Sequence, residues 1–544
     1  MDFHYTYVPN MASKSRVLTH IGYAIRKDSL SPPQMDKIRK ELTVAPKQAG
    51  KYTTAGEPFR IFLESSTRFY LPRVWGTNEF GEAEESILVD GNPIREDLKF
   101  IGKPYDYQKE IINHFVQIGA NGLICVPCGR GKTFMAISIA ASLGRKFMVV
   151  VDKEFLLQQW SGELQALMPG IRIGIIQENK RQIGLVEKTP PKPLTVPELK
   201  EKLRALGLKV GGSRDELVAR LSASAEGEGE VAEAKDPPLE YDCCIAMIQT
   251  LVQRDFAETE FRSFGLTIFD ECHHLGAAHF SRALLKIQTK FMLGLSATPT
   301  RDDGLTRVFE WFIGKPAYWE KVREPDPDVI VRKVDFKTDD PAYCNEPVDF
   351  RGELVLATLL TQVLDCEARN QLIDQVMAEL VAEKERRILV LSDRKAHLER
   401  IQAGLPKGTT VSYYIGGMKE EVREEGARTA QVLLGTYAMA SEAMNIKTLN
   451  TMVMASPRKK IEQSTGRILR VQKNARTIEP LIVDIVDSHG VYQGQWNKRR
   501  MYYKKCKYKI MTQGVALNAE AVESVESVEA VEAVPLQTGC MITD

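Results

Sequence analysis

From Lys103 onward the chain alternates between two textures. Short unbroken apolar runs, GLICVP, KFMVVVD, CCIAMI and LTIFD, are separated by segments of helical period such as FMAISIAASL and EFLLQQWSGELQAL. Runs without polar positions suit strands buried on both faces, and amphipathic segments suit the helices that cover them. Their alternation predicts an α/β fold built on a parallel sheet. The texture returns in RRILVLSD, TVSYYIGG, AQVLLGT, NTMVMASP and PLIVDIVD. Two tandem, doubly wound lobes are therefore expected, at 100–314 and 350–510. A Pro- and Asp-rich connector around VREPDPD joins them, at 315–349. Residues 1–99 mix short apolar runs with turn signals such as SLSPPQ and DGNP, which predicts a small α+β accessory domain. The last segment, 515–544, repeats valine every three residues in VESVESVEAVEAV. A three-residue step rotates by about 300° on a helix, so these valines form no common face. An acidic low-complexity tail is the expected reading.

One stretch breaks the first lobe. LTVPELKEKLRALGLKVGGSRDELVARL carries two capping boxes, Thr195 with Glu198 and Ser213 with Glu216, each opening a short apolar-periodic segment. Gly207, Gly211 and Gly212 mark a turn between them. Leu199, Leu203, Leu206, Leu208, Leu217, Val218 and Leu221 are the candidates for a tiny shared core. Pro-rich EKTPPKP precedes the unit and acidic SASAEGEGEVAEAKDPP follows it, so 187–238 reads as a tethered helical insertion.

Composition narrows the class without naming it. No apolar run reaches the roughly 18–20 residues of a membrane span, and the first residues, MDFHYTYVPNMASKSRV, lack a signal-peptide core. Nine cysteines lie without disulfide spacing, which predicts an intracellular protein without membrane partners. The net charge of +1 hides an asymmetry. All 73 Lys and Arg, against 66 of the 72 acids, fall in residues 1–514, a net +7 beside the acidic tail. A basic body is compatible with a polyanionic partner.

VPCGRGKT, Val126 to Thr133, follows a predicted strand and opens a helix. Such a turn aims backbone N–H groups at phosphate oxygens from the positive end of a helix. Gly129 and Gly131 shape the loop, Lys132 reaches the β- and γ-phosphates, and the Thr133 hydroxyl holds Mg²⁺. LTIFDECHH ends a second apolar run in acids. There Asp270 completes the Mg²⁺ shell and Glu271 orients the attacking water. His273 and His274 could bind metal, but adjacent strand residues face opposite ways and no Cys/His cluster joins them. Gly131 and Asp270 lie 139 residues apart. Without the insertion that gap shrinks to about 80, ordinary for one doubly wound lobe.

The motifs come in a particular order. YDYQKEII precedes the phosphate loop; VVVDKEFLLQQW, AMIQTL, DECHH and GLSATPTRDDG follow it; ILVLSDRKAHL, LLGTYAMASEAMNI and QSTGRILR lie in the second lobe. Over residues 100–490 this series resembles a superfamily 2 helicase, and the resemblance implies two RecA-like lobes that hydrolyse ATP between them. By matching position, Gln108 would read adenine. His273, Ser296 and Thr298 would couple nucleotide state to nucleic-acid state. Gln463, Arg467 and Arg470 would reach the phosphates from the second lobe, and Asn445 would lie near the sugar. Gln249, Thr250, Arg394, Gly435 and Thr436 would touch the phosphodiester backbone, with loop-forming polar residues as the alternative reading.

PCGRGKT, DECHH and ATPTRDDG look most like XPB-type DNA translocases and the transcript-release helicases of poxviruses and related large DNA viruses. LSPPQMDKIRKELTVAP and FRIFLESSTRFYLPRVWG favour the viral branch. That implies 3′ to 5′ movement on DNA, single-stranded or with a single-stranded end. It also implies partners among RNA polymerase and transcription factors, and a place in the virus factory of the host cytoplasm and in the virion. The inserted helices resemble a SAP domain, a DNA-binding module, with Lys200, Arg204 and Arg214 among its phosphate-facing cations. A branch-remodelling repair helicase shares the motor. A nucleotide-gated DNA-binding factor with little turnover would not need both Glu271 and Arg470. NKRRMYYKKCKYKI, basic and aromatic, could track a single strand or simply close the second lobe.

Overall fold

The computed structural model describes residues 14–47, 56–186, 196–205, 207–213, 216–217, 220, 239–257, 259–301, 303–321, 324–442, 444, 446, 448–471, 473–513, 523–525 and 540–541. Two parallel sheets dominate. In the first the parallel strands run in the order Ile173–Gln177, Cys243–Met247, Phe147–Val151, Leu266–Phe269, Phe291–Ser296, Asn121–Cys125 and Pro316–Trp319, with Lys180–Arg181 and Cys540–Met541 antiparallel at the two edges. Phe147–Val151, Cys243–Met247 and Leu266–Phe269 are buried at every position, as their unbroken apolar sequences require. The loops that carry Val126, Asp152, Asp270 and Thr298 all leave strands at the carboxyl edge, where open α/β sheets bind ligands.

The second sheet runs Val411–Tyr414, Val432–Thr436, Ile388–Ser392, Thr451–Met454, Leu481–Asp487, Ile330–Phe336 and Lys509–Gln513, these seven parallel, with Glu523–Val525 antiparallel at the far edge. Its composition corrects the expected connector. The stretch 315–349 holds a strand of each sheet, Pro316–Trp319 in the first and Ile330–Phe336 in the second. Polar Arg332 and Lys333 and the flanking prolines mask the second of these in the sequence.

The basic, aromatic segment near the end belongs to the core of the second lobe. Helix Gly490–Lys505 buries Tyr492, Trp496, Arg499 and Tyr503 and leaves Lys498, Lys504 and Lys505 outside. Arg499 pairs with the buried Asp484 at 2.8 Å, and the Tyr503 hydroxyl donates to the same carboxylate at 2.9 Å. A second buried pair, Arg369 with Asp487 at 2.7 Å, receives the Tyr343 hydroxyl at 3.1 Å. Each cation and anion satisfies the other where neither could be buried alone.

The N-terminal unit is a five-stranded sheet over residues 16–86 with helices Pro32–Glu41 and Arg73–Phe80. Its core, including Tyr23, Phe69 and Trp75, is continuous with that of the first lobe through Ile287, Phe309 and Phe312. Arg73 bolts the two together, donating to the carbonyls of Phe312 and Thr289 at 3.0 Å each and to Asn121. Burial pushes its pKa down to about 10.

Of the inserted unit, helix Val196–Ala205 is described, with Leu199, Leu203 and Leu217 buried together and Leu208 and Val210 against them. The second capping box is present, Ser213 N donating to Glu216 Oε2 at 2.9 Å and Glu216 N to Ser213 Oγ at 3.4 Å. Thr195, Leu206, Arg214, Val218 and Leu221 lie outside the described residues. The chain leaves and re-enters the lobe at one point: Val186 N donates to Leu239 O at 2.7 Å, beside an antiparallel bridge from Leu185 to Glu240.

Candidate nucleotide and nucleic-acid site

The phosphate loop leaves the strand Asn121–Cys125 and enters helix Lys132–Leu143 through two left-handed residues, Gly129 (φ 86°) and Gly131 (φ 79°). A side chain at Gly131 is excluded twice over, since an added Cβ would lie 2.5 Å from Gln108 Nε2. Gln108 is buried; its Nε2 donates to Arg130 O at 3.2 Å and its Oε1 accepts from Tyr105 N at 3.0 Å. The glutamine thus braces the loop.

Opposite the loop, the strand Leu266–Phe269 ends in Asp270 and then Glu271, the latter in a left-handed turn at φ 42°. Lys132 Nζ lies 3.0 Å from Glu271 Oε1. Burial alone would raise the Glu271 pKa, but the Lys132 ammonium and then His273 outweigh it and hold the carboxylate well below the usual range. Asp270 moves the other way: burial and the neighbouring Glu271 charge raise it, more than Lys132 lowers it. Trp160 Nε1 donates to Asp270 Oδ2 at 2.8 Å and fixes its plane. Two adjacent half-buried carboxylates, one lysine and the Thr133 hydroxyl at the helix start form a hard-oxygen set with excess negative charge. That donor chemistry fits a small divalent cation.

The two histidines are not on a strand as expected. The turn at Glu271 starts a 3₁₀ helix, Cys272–Gly276, which brings the rings 4.2 Å apart. His273 Nδ1 lies 3.0 Å from Ser296 Oγ and 3.3 Å from Glu271 Oε2. Ser296 Oγ in turn accepts from Thr298 N at 3.1 Å. The predicted residues Lys132, Glu271, His273, Ser296 and Thr298 therefore form one contact chain. His274 Nδ1 contacts Asp152 Oδ2 at 2.6 Å, and Asp152 O accepts from Gln249 Nε2 at 2.7 Å. Thr250 is buried and its Oγ1 accepts from Glu178 N at 2.9 Å.

In the second lobe Arg394 is exposed at the start of helix Lys395–Gly404, and Gly435 and Thr436 end the strand Val432–Thr436. Gln463 sits in the short helix Glu462–Thr465. Arg467 donates to the carbonyls of Ala440 at 2.5 Å and Met444 at 2.7 Å, and Arg470 to Met444 O at 3.0 Å. Both arginines are anchored within their own lobe. Asn445 lies outside the described residues. Lys200 and Arg204 lie on the inserted helix, Arg204 exposed.

Sequence reasoning missed a clamp on the phosphate loop. Arg130 lies over the Tyr107 ring, 4.0 Å from its centroid, and pairs with Glu320 at 3.0 Å and Glu324 at 3.3 Å. Glu320 lies 190 residues away in sequence, so no local signal points to it. Asp152 had a signal, since FMVVVD repeats the strand-then-acid pattern of LTIFDE.

The geometry is that of a phosphate-loop ATPase with two α/β lobes. Residues 101–301 match the family described as "Type III restriction enzyme, res subunit". A protein of Acanthamoeba polyphaga mimivirus bearing the name of an ATP-dependent RNA helicase is 26% identical over 509 residues, covering 91% of this chain and 86% of its own length. A protein of African swine fever virus with the same description is 24% identical over 433 residues, covering 75% of this chain and 74% of its own. The crystal structure of T4 UvsW aligns over 89% of this chain and 96% of that one, at 15% identity and a TM-score of 0.31. With the motif series, the family match and the viral relatives define an ATP-dependent helicase of superfamily 2, akin to those of large DNA viruses. No helix among the described residues is long and apolar enough to cross a membrane.

Proposed function

We propose that this helicase is a DNA translocase of the XPB-like and transcript-release type, moving 3′ to 5′ in viral transcription. The observation that carries the choice of DNA is the inserted helical unit on lobe 1, which resembles a SAP domain. It has its own leucine core, a cationic outer face with Lys202, Arg204 and Lys209 exposed, and entry and exit points side by side. RNA is the second reading, and it rests on the names of the viral relatives.

In the proposed cycle Lys132 leaves Glu271 for the β- and γ-phosphates of ATP. Its departure removes the main influence that depresses the Glu271 carboxylate, so substrate binding itself creates the base that deprotonates the attacking water. Thr133 and Asp270 would hold Mg²⁺, which when bound neutralises phosphate charge. Gln108 reads the adenine and Asn445 lies by the sugar. Gln463, Arg467 and Arg470 reach the phosphates when the lobes close, exchanging the carbonyls of Ala440 and Met444 for transition-state oxygens. His273, Ser296 and Thr298 relay the change to the backbone-binding positions Gln249, Thr250, Arg394, Gly435 and Thr436. The test is ATPase and strand-displacement activity on single-stranded, forked and RNA–DNA substrates. Stimulation by DNA with a 3′ overhang is the expected result; stimulation by RNA alone would replace this reading with the second.

A further inference from the structure

Away from the nucleotide cleft, a cavity of about 1140 Å³ opens where the N-terminal unit meets the first lobe. Ile21, Leu63, Leu88 and Leu285 give it an aliphatic lining, and Val89 stands at it 45% exposed. Among the described residues Arg60, Arg262, Arg282 and Lys286 line it against one acid, Asp255. Gln288, only 3% exposed, also lines it; its Nε2 donates to Leu284 O at 3.2 Å while its Oε1 has no hydrogen-bond partner.

We infer that this groove binds an acidic segment of a partner protein, studded with apolar side chains. Three features point there together. The aliphatic lining is stabilised by removal from water and takes side chains such as Leu or Phe. The cation excess complements Asp and Glu, with Arg60 and Arg282 exposed to meet them. The buried acceptor on Gln288 calls for a hydrogen-bond donor, and a peptide backbone carries one, its N–H, at every residue but proline.

A nucleic-acid strand fits less well. A DNA sugar–phosphate backbone offers the Gln288 oxygen no donor, and sequence-tolerant strand binding needs open aromatic faces. Here Phe62 and Phe264 are buried, Arg181 covers the Phe256 ring at 4.3 Å, and Phe261 packs against Phe256 with ring centroids 5.1 Å apart. Lys286 is also occupied, donating to the carbonyls of Val252 at 3.1 Å and Arg254 at 2.8 Å.

The test is selection of a random peptide library on the full-length protein, counter-selected on Arg60→Glu/Arg282→Glu. Enriched peptides should carry net negative charge with spaced apolar residues. Their binding, read by fluorescence anisotropy, should weaken at least about tenfold in the double variant and in Val89→Asp, and should weaken with salt. All three substituted side chains are exposed and outside the nucleotide site, so nucleic-acid-stimulated ATPase activity should stay within about twofold and reports correct folding. No enrichment, enrichment of basic peptides, or equal binding to wild type and variants would overturn the inference. So would displacement by a single-stranded oligonucleotide, which would make the groove a nucleic-acid site. Displacement by a synthetic peptide of residues 515–544 would overturn the partner in favour of the chain's own acidic tail.

Discussion

Glu271 is held as a charged, weakly basic group by Lys132 before any nucleotide arrives. Removing either partner should therefore act differently on binding, although both should stop turnover. Lys132→Ala loses a phosphate contact and should weaken ATP. Glu271→Gln removes the base, costing about two to four orders of magnitude in kcat, but frees the lysine and should bind ATP as tightly or more so. Nucleotide titrations beside ATPase rates check this; full activity in either variant would sink the assignment. His397 gives a pH prediction in the second lobe. Burial, then Arg369 and Arg400, push its pKa down to about 3, and it is hydrogen-bonded to Ser392 and Asn370 at 3.0 Å each. Below its unfolded pKa of about 6.5 the unfolded chain takes up a proton that the folded one refuses. Stability from this group is thus complete above that value and is lost as pH falls toward the folded one. Between pH 7 and pH 5 the loss should reach about 2 kcal/mol. Urea unfolding should show a shallower pH slope in His397→Asn than in the wild type, and equal slopes would exclude the effect.

At the scale of elements, the insertion and the closing helix show opposite uses of basic residues. In helix Gly490–Lys505 the aromatics and Arg499 are structural, packed on the strand Leu481–Asp487. In the insertion, Arg220 is spent on the carbonyls of Lys209 and Gly211, while Lys202 and Arg204 face outward. Because Val186 and Leu239 are hydrogen-bonded neighbours, replacing Glu187–Pro238 by a short Gly/Ser linker should leave the lobe folded. ATPase activity at saturating DNA should persist. DNA affinity should fall, its salt dependence flatten and runs along DNA shorten, since a tethered second site raises the local concentration of track. Unchanged Kd, salt slope and processivity would make the unit a protein-docking decoration.

Across the whole molecule, the two lobes touch through Phe155, which packs from helix Glu154–Leu167 against the second core. Beside it a cavity of about 900 Å³ separates that helix from Glu421, Arg423 and Glu424. Arg467 and Arg470 are anchored on Ala440 and Met444, so the proposed cycle calls for the lobes to approach. Arg470→Ala should lower kcat by roughly two to five orders of magnitude while ATP affinity barely changes. Collapse of affinity with kcat intact would make Arg470 a binding residue.

The period of apolar residues and the local motifs were enough to predict both α/β lobes, the phosphate loop and its facing acids, and the second capping box. Each of these rests on residues adjacent in the chain, where spacing alone dictates which groups meet. What depended on tertiary structure joins residues far apart. Arg130 found Glu320, Trp160 found Asp270, and Arg73 fused the N-terminal unit to the first lobe. The strand Ile330–Phe336 crossed what looked like a connector because the sheet, not its own polar sequence, supplied its partners. The basic aromatic run became core because Asp484 lay beneath it. Side chains with mixed character are read by their environment, and the environment is set only when the chain has folded.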